Sequence, residues 1–270
     1  MDNPSRVNQF RPISLTNFNY KIIPKILSNR LKPLLHKIVS PMQSAFLKGR
    51  FIHDNTILVH EFFHFMKQKR GNGSLVALKL DMEKAFDSME WNFLLKILEL
   101  LGFQPTWINW INQCITTSSF SILLDGAPFG KFFPSRGLRQ GDPLSPFLFI
   151  LGSEILSRLL LREENLGALH GIKIARISPP ISHLLFVDDV MVFSKANMAK
   201  AHVILKCLTS YSFWSRQCVN QAKSVIFFNK NCKPVIKASV NSVLKLLPIP
   251  ACAKYLGIPL FILRKKDSFF

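Results

Sequence analysis

Apolar positions recur at helical spacing over two stretches near the start of the chain, about Tyr20–Ile38 and Asp54–Lys69. The second gathers Ile57, Leu58, Phe62, Phe65 and Met66 on one side, and Arg70-Gly71-Asn72-Gly73 breaks it. From Ser74 to Leu80 the period falls to two. Val76, Leu78 and Leu80 take one face while Ala77, Lys79 and Asp81 take the other, the pattern of a half-buried strand. Trp91–Leu101 predicts a helix stopped by Gly102. Phe120–Leu124 and Gly130–Phe133 predict strands around an Asp125-Gly126 turn, and a long apolar helix begins near Pro146. His183–Val187 and Val190–Ser194 predict a hairpin with Asp188-Asp189 at its tip, followed by a helix from about Met198 to Ser215 and a strand at Ser224–Phe228. This order predicts an α+β fold with a small antiparallel sheet packed on helices. Without repeats, low-complexity tracts or a long linker, one continuous domain with subdomains is expected.

Composition narrows the partners. The 270 residues carry 35 Lys and Arg against 16 Asp and Glu, a formal charge of +19, with 48% hydrophobic residues including 24 Phe. A chain this apolar folds, and a charge this large on a real core points to a polyanion, most often nucleic acid. The longest apolar run, Phe147 to Leu161, is interrupted by Glu154 and Arg158 at helical spacing, which predicts a polar stripe on a globular helix and no membrane partner. Met1 to Arg11 is polar without an apolar signal core, so an intracellular, reducing location is expected. The five cysteines, an odd number with no C-x-x-C pair, are expected to be free thiols.

Three acidic residues stand out at element ends in this basic chain: Asp81 closes a strand, and Asp188 and Asp189 occupy a hairpin tip. Phosphoryl transfer uses two divalent ions about 3.5–4 Å apart, held by carboxylates on rigid elements. An isolated Asp-Asp pair is equally ordinary turn chemistry.

Around these residues lie Met82-Glu83-Lys84-Ala85-Phe86-Asp87 and Arg139-Gln140-Gly141-Asp142-Pro143-Leu144-Ser145-Pro146. Further blocks are Arg11-Pro12-Ile13-Ser14-Leu15, Gln43-Ser44-Ala45-Phe46 with Gly49-Arg50, Phe186 to Asp189, Asn220 with Lys223-Ser224, and Lys254-Tyr255-Leu256-Gly257. In this order they resemble the reverse transcriptases of non-LTR, long-interspersed-element retrotransposons, most closely their plant members. The resemblance implies a right-hand polymerase fold, with about 1–73 as part of the fingers, about 74–230 as palm and about 231–270 as an incomplete primer-grip and thumb region. It implies an RNA-directed DNA polymerase acting on an RNA template, a DNA primer and deoxynucleoside triphosphates. Asp81, Asp188 and Asp189 would hold two Mg²⁺ ions, with Asp189 mainly supporting.

By the same resemblance, Phe86 lies under the incoming sugar and rejects a 2′-hydroxyl; a core phenylalanine is the alternative. Gln140 and Gly141 match the turn beside the nascent base pair, where a Cβ would block close approach. Lys223 matches the lysine that protonates pyrophosphate, Lys48 and Arg50 the fingers' triphosphate contacts, and Tyr255-Leu256-Gly257 the primer grip. Val187, beside the nucleotide site, stands where the family usually has Ala; a β-branched residue is conformationally welcome at a strand end.

Family members carry an endonuclease domain before this region and a thumb after it, so the chain is expected to begin inside the fingers. A catalytically inactive remnant that only binds nucleic acid is therefore the second functional reading. A third arises from His60-Glu61-Phe62-Phe63-His64, which fits the zinc-protease pattern H-E-x-x-H. Lys67 and Arg70 stand where the longer form of that pattern needs a glycine and a third histidine, and a protease does not explain the charge. Nuclear residence is expected from the family; Arg264-Lys265-Lys266 is too short a basic run to argue it independently.

Overall fold

The computed structural model describes residues 14–71 and 73–261. Arg11-Pro12-Ile13, Asn72 and Arg264-Lys265-Lys266 lie outside the described residues. The first half of the chain forms α1 (Phe18–Ile38), α2 (Ile52–Gln68), β1 (Leu75–Asp81), the single turn α3 (Ala85–Ser88), α4 (Trp91–Leu100), α5 (Pro105–Thr116) and the hairpin β2 (Phe120–Leu124) and β3 (Ala127–Phe132). Then come α6 (Ser145–Asn165), β4 (His183–Phe186), β5 (Asp189–Lys195), α7 (Met198–Ser215), β6 (Val225–Phe228) and α8 (Pro234–Leu244). Three two-residue strands close the described chain: β7 (Leu247–Pro248), β8 (Lys254–Tyr255) and β9 (Ile258–Pro259). Helices α5 and α8, each opened by a proline in the first turn, are absent from the sequence reading. No helix among the described residues is long and apolar enough to cross a membrane.

The chain divides into two compact units. One comprises 1–39, 84–152 and 213–217, the other 40–83, 153–212 and 218–270. They interleave along the sequence.

The second unit holds the five-stranded sheet, in the order β4-β5-β1-β6-β7. All its pairings are antiparallel except β6 with β7, which is parallel. Strand β1 sits between β5 and β6, and five of its seven residues are buried on both faces, unlike the half-buried strand its alternation suggests. A central strand is covered twice, so alternation of side-chain type outlives alternation of exposure. On one face α2 contributes Val59, Phe62, Phe63 and Met66, at spacings of three and four, to a core shared with Leu75, Ala77, Leu184, Met191 and Phe193. Phe62 stacks on Phe193 with ring centroids 4.3 Å apart.

In the other unit, α4 and α5 pack together, with Leu94, Ile97, Leu98, Ile111 and Ile115 buried. Gly137 there approaches the turn after β1 so closely that a Cβ would lie 2.6 Å from the Asp87 carbonyl oxygen. The approach is pinned by Gly137 N–H donating to Met89 O at 2.8 Å and Leu138 N–H to Phe86 O at 2.7 Å. Glycine is required twice over, because its φ is +93°.

Of the expected polar stripe on α6, Arg158 faces water and Glu154 does not. Glu154 is buried; its carboxylate accepts from Ser40 N at 3.0 Å and Arg158 Nε at 3.2 Å, and burial pushes its pKa up. One turn on, Ser157 Oγ lies 2.8 Å from both Ser40 Oγ and His183 Nε2, while His183 Nδ1 meets Ser182 Oγ at 3.0 Å. Ser182 gives its proton to Glu164 at 2.7 Å. Each hydroxyl has one proton, so His183 carries hydrogen on Nδ1 and its Nε2 accepts from Ser157, which in turn accepts from Ser40.

Burial holds the His183 imidazole neutral, with its pKa lowered from 6.5 to about 3. The unfolded chain therefore binds a proton that the native chain refuses, and this contribution to stability is lost as pH falls from 6.5 through about 3. Glu154 acts in the opposite sense: its raised pKa makes the native state the better proton binder, so its contribution declines as pH rises through its titration. Urea denaturation at a series of pH values should show stability rising from acid to neutral, with a flatter profile in His183→Gln. An equal slope in that variant would place the acid sensitivity elsewhere.

Candidate polymerase site

Strands β1 and β5 pair in a register that sets Asp81 directly opposite Asp189, with Lys79 opposite Met191. Opposed residues on antiparallel strands share a face, with Cα atoms about 4.5–5.5 Å apart. Two residues separated by more than a hundred positions thus become neighbours, and Asp188 precedes Asp189 in the hairpin turn. Asp189 accepts from Lys79 Nζ at 3.1 Å. The backbone of Asp81 is gripped from β6's side: its N–H donates to Ser224 Oγ at 3.1 Å, and its carbonyl accepts from Asn220 N at 2.8 Å. Asn220 Oδ1 caps that turn by accepting from Ala222 and Lys223 N–H groups.

The hairpin tip differs from expectation by one residue. Phe186 pairs with Asp189, so Val187 and Asp188 make the turn and Asp189 belongs to the strand. Val187 stands at φ +56°, in the left-handed region. The expectation that a β-branched side chain is welcome there fails, because its branched Cβ crowds the backbone in that conformation.

The remaining second-unit residues are placed as follows. Lys223 and Lys48 are exposed. Arg50 is partly buried and donates through Nη1 to the carbonyls of Ser40, at 2.6 Å, and Gln43, closing the loop that carries it; desolvation lowers its pKa. Leu256 and Gly257, at φ +49° and +84°, form the tip of the β8–β9 hairpin. Tyr255, expected in the primer grip, is 2% exposed and belongs to the core. Its hydroxyl contacts Asn55 Nδ2 at 3.5 Å, and burial pushes its pKa far up. In the first unit, Phe86 is partly buried and stacks on Phe149, centroids 4.6 Å apart. Gln140 Nε2 reaches Asp87 Oδ1 at 3.4 Å. Gly141 is exposed at φ +99°; a Cβ there would meet Ser14 O only at 3.5 Å, so conformation rather than space calls for glycine.

Among the described residues no group of three or more His, Cys, Asp or Glu is assembled as a metal cage. The donor types at the β1–β5 end nevertheless fit a hard divalent cation, which takes carboxylate oxygens from rigid elements. His60 and His64 lie toward the solvent side of α2, without a third such ligand among the described residues.

The sequence profile described as "Reverse transcriptase (RNA-dependent DNA polymerase)" matches residues 2–260. The chain belongs to the reverse transcriptase family. Relatives of this reverse transcriptase domain include the Transposon TX1 uncharacterized 149 kDa protein of Xenopus laevis, 29% identical over 81% of this chain and 16% of that protein. The Retrovirus-related Pol polyprotein from type-2 retrotransposable element R2DM of Drosophila melanogaster is 30% identical over 75% of this chain and 18% of its own length. The chain thus spans under a fifth of either relative. Telomerases from Candida tropicalis and Candida albicans, each solved with a TWJ fragment of telomeric RNA, superpose with TM-scores of 0.52 and 0.53 at 14% and 12% identity. They cover 77% and 80% of this chain, and 33% and 34% of theirs, and share with it the right-hand polymerase fold.

In this reverse transcriptase domain, two positioning groups escape sequence reasoning. Lys79 shares a face with Asp81 by simple alternation, but its partner depends on the β1–β5 register. Ser224 lies in a recognisable block, yet the bond it accepts becomes visible only once β6 is set beside β1.

The Val187 conformation has a measurable cost of order 1 kcal/mol or more. Val187→Asn, which tolerates left-handed φ, should raise stability by about 1 kcal/mol in urea denaturation. No gain would show that the turn is unstrained.

Proposed function

We propose that this chain is the core of an RNA-directed DNA polymerase of the non-LTR retrotransposon type, extending a DNA primer on an RNA template. The observation that carries the reading is the direct pairing of Asp81 with Asp189 beside Asp188, within a chain matched by the reverse transcriptase family over residues 2–260. Asp81 and Asp188, with Asp189 mainly supporting, would hold two Mg²⁺ ions, whose chemistry is to favour the attacking alkoxide and offset charge on the departing pyrophosphate. The chain's own work is positional. The 220–224 turn fixes Asp81 through both backbone groups. Lys223, exposed on that turn, is suited to give a proton to pyrophosphate, and Lys48 to meet the triphosphate. The formal charge of +19 favours a nucleic-acid backbone.

Primer extension on an RNA template with deoxynucleotides, with and without Mg²⁺, tests the reading. Asp81→Asn and Asp188→Asn should each abolish extension while leaving binding of a primer–template duplex within about twofold, since charge and not shape is removed. Extension that survives either change would overturn it. Duplex binding by the parent chain without extension at any Mg²⁺ concentration would instead identify a non-catalytic remnant.

Phe86 has its own test. As the residue beneath the sugar, Phe86→Val should raise ribonucleotide relative to deoxynucleotide incorporation. If it serves only to pack on Phe149, the same change leaves that ratio unchanged and lowers stability by about 1–4 kcal/mol.

A further inference from the structure

We propose that Lys79 is a positioning residue of this site: its ammonium holds the Asp189 carboxylate away from the bound cations, so that Asp81 and Asp188 are the direct ligands. The inference rests on the polymerase reading above. Because side chains alternate along a strand, Lys79 and Asp81 lie on one face of β1, and their cross-strand partners Met191 and Asp189 share it. Lys79 is therefore the diagonal neighbour of Asp189, and its Nζ stands 3.1 Å from Asp189 Oδ1. Lys79 lies farther from the hairpin turn than Asp81 does, so this bond draws an Asp189 oxygen back along the sheet and away from Asp188.

Exposure sets the pair apart from surface ion pairs. The side chains are 15% and 28% exposed, against 63% and 63% for Lys96 with Glu99. A pair open on both sides contributes little, whereas a sheltered one is screened less by salt. On that face the lysine stem lies beside the opposed Met191, which is fully buried.

The consequence is chemical. Cation affinity at carboxylate sites rises with the number of anionic ligands. With Lys79 neutralising Asp189, two carboxylates remain for the cations; without it a third becomes available, and binding tightens.

The test is Mn²⁺ binding to the whole chain, followed by electron paramagnetic resonance and independent of turnover. Lys79→Met should tighten Mn²⁺ binding by about fivefold or more, and Lys79→Arg should restore the parent affinity. In an Asp189→Asn background, Lys79→Met should produce no further tightening, because the carboxylate it released is gone. Unchanged affinity in Lys79→Met would overturn the proposal, as would equal tightening with Asn at 189, which would reduce Lys79 to a distant charge. If Lys79→Met does not fold, Lys79→Gln carries the same comparison. A parent chain that neither binds Mn²⁺ saturably nor extends a primer would sink the polymerase reading itself; Mn²⁺ binding by a parent whose Lys79 variants match it would sink only the role of Lys79.

Discussion

The register between β1 and β5 is the constraint on which the rest of the site depends. Side chains alternate with a period of two, so a slip of one residue would send Asp81 to the opposite face from Asp189 and put Leu80 in its place. What prevents the slip is mostly apolar. Leu75, Ala77 and Phe193 lie in the core beneath α2, and a shift of one would expose them together. The carboxylates add little to holding the register; they occupy the end of a pairing decided by hydrophobic burial elsewhere on the same strands.

That register also dictates the hairpin. With Asp189 in the strand and paired to Phe186, two residues remain to turn the chain, and a two-residue turn demands backbone dihedrals that L-residues adopt unwillingly. Val187 accepts the left-handed conformation, and with it local strain, so that Asp188 and Asp189 follow one another where the strands require. The turn at Asn220–Ser224 answers from the other side of β1 with two backbone bonds to Asp81. Asp81 is thus held from β5 and β6 at once.

Polar groups in the same unit serve the neighbouring loop. Ser44 Oγ donates to Asn55 Oδ1 at 2.7 Å, and Asn55 Nδ2 to the Leu185 carbonyl at 3.0 Å, tying the 40–50 loop and α2 to β4. Backbone bonds from Ser44 N to Leu185 O and from Leu185 N to Met42 O extend that edge of the sheet. Buried polar atoms must be bonded, which gives such contacts directional specificity that apolar packing lacks. Arg50 is drawn into this loop closure, and Tyr255 into the adjoining core, although sequence motifs assign both to ligand contacts.

Much of the architecture was legible in the residues themselves. Periodicity identified α1, α2, β1, α4, the β2–β3 hairpin, α6, α7 and β6, because amphipathic helices and alternating strands are local properties of the chain. The acidic residues stood out against a basic background, and their surrounding blocks named the family. Local pattern failed where tertiary context decides. Residue types alternate along β1, but covering layers bury both of its faces. Glu154 and Tyr255 are inward because their hydrogen-bond partners arrive from distant segments. The one-residue shift at Asp188-Asp189, the strain at Val187, and the pairing of Lys79 with Asp189 all follow from strand register, a property of two segments in contact that neither segment carries alone.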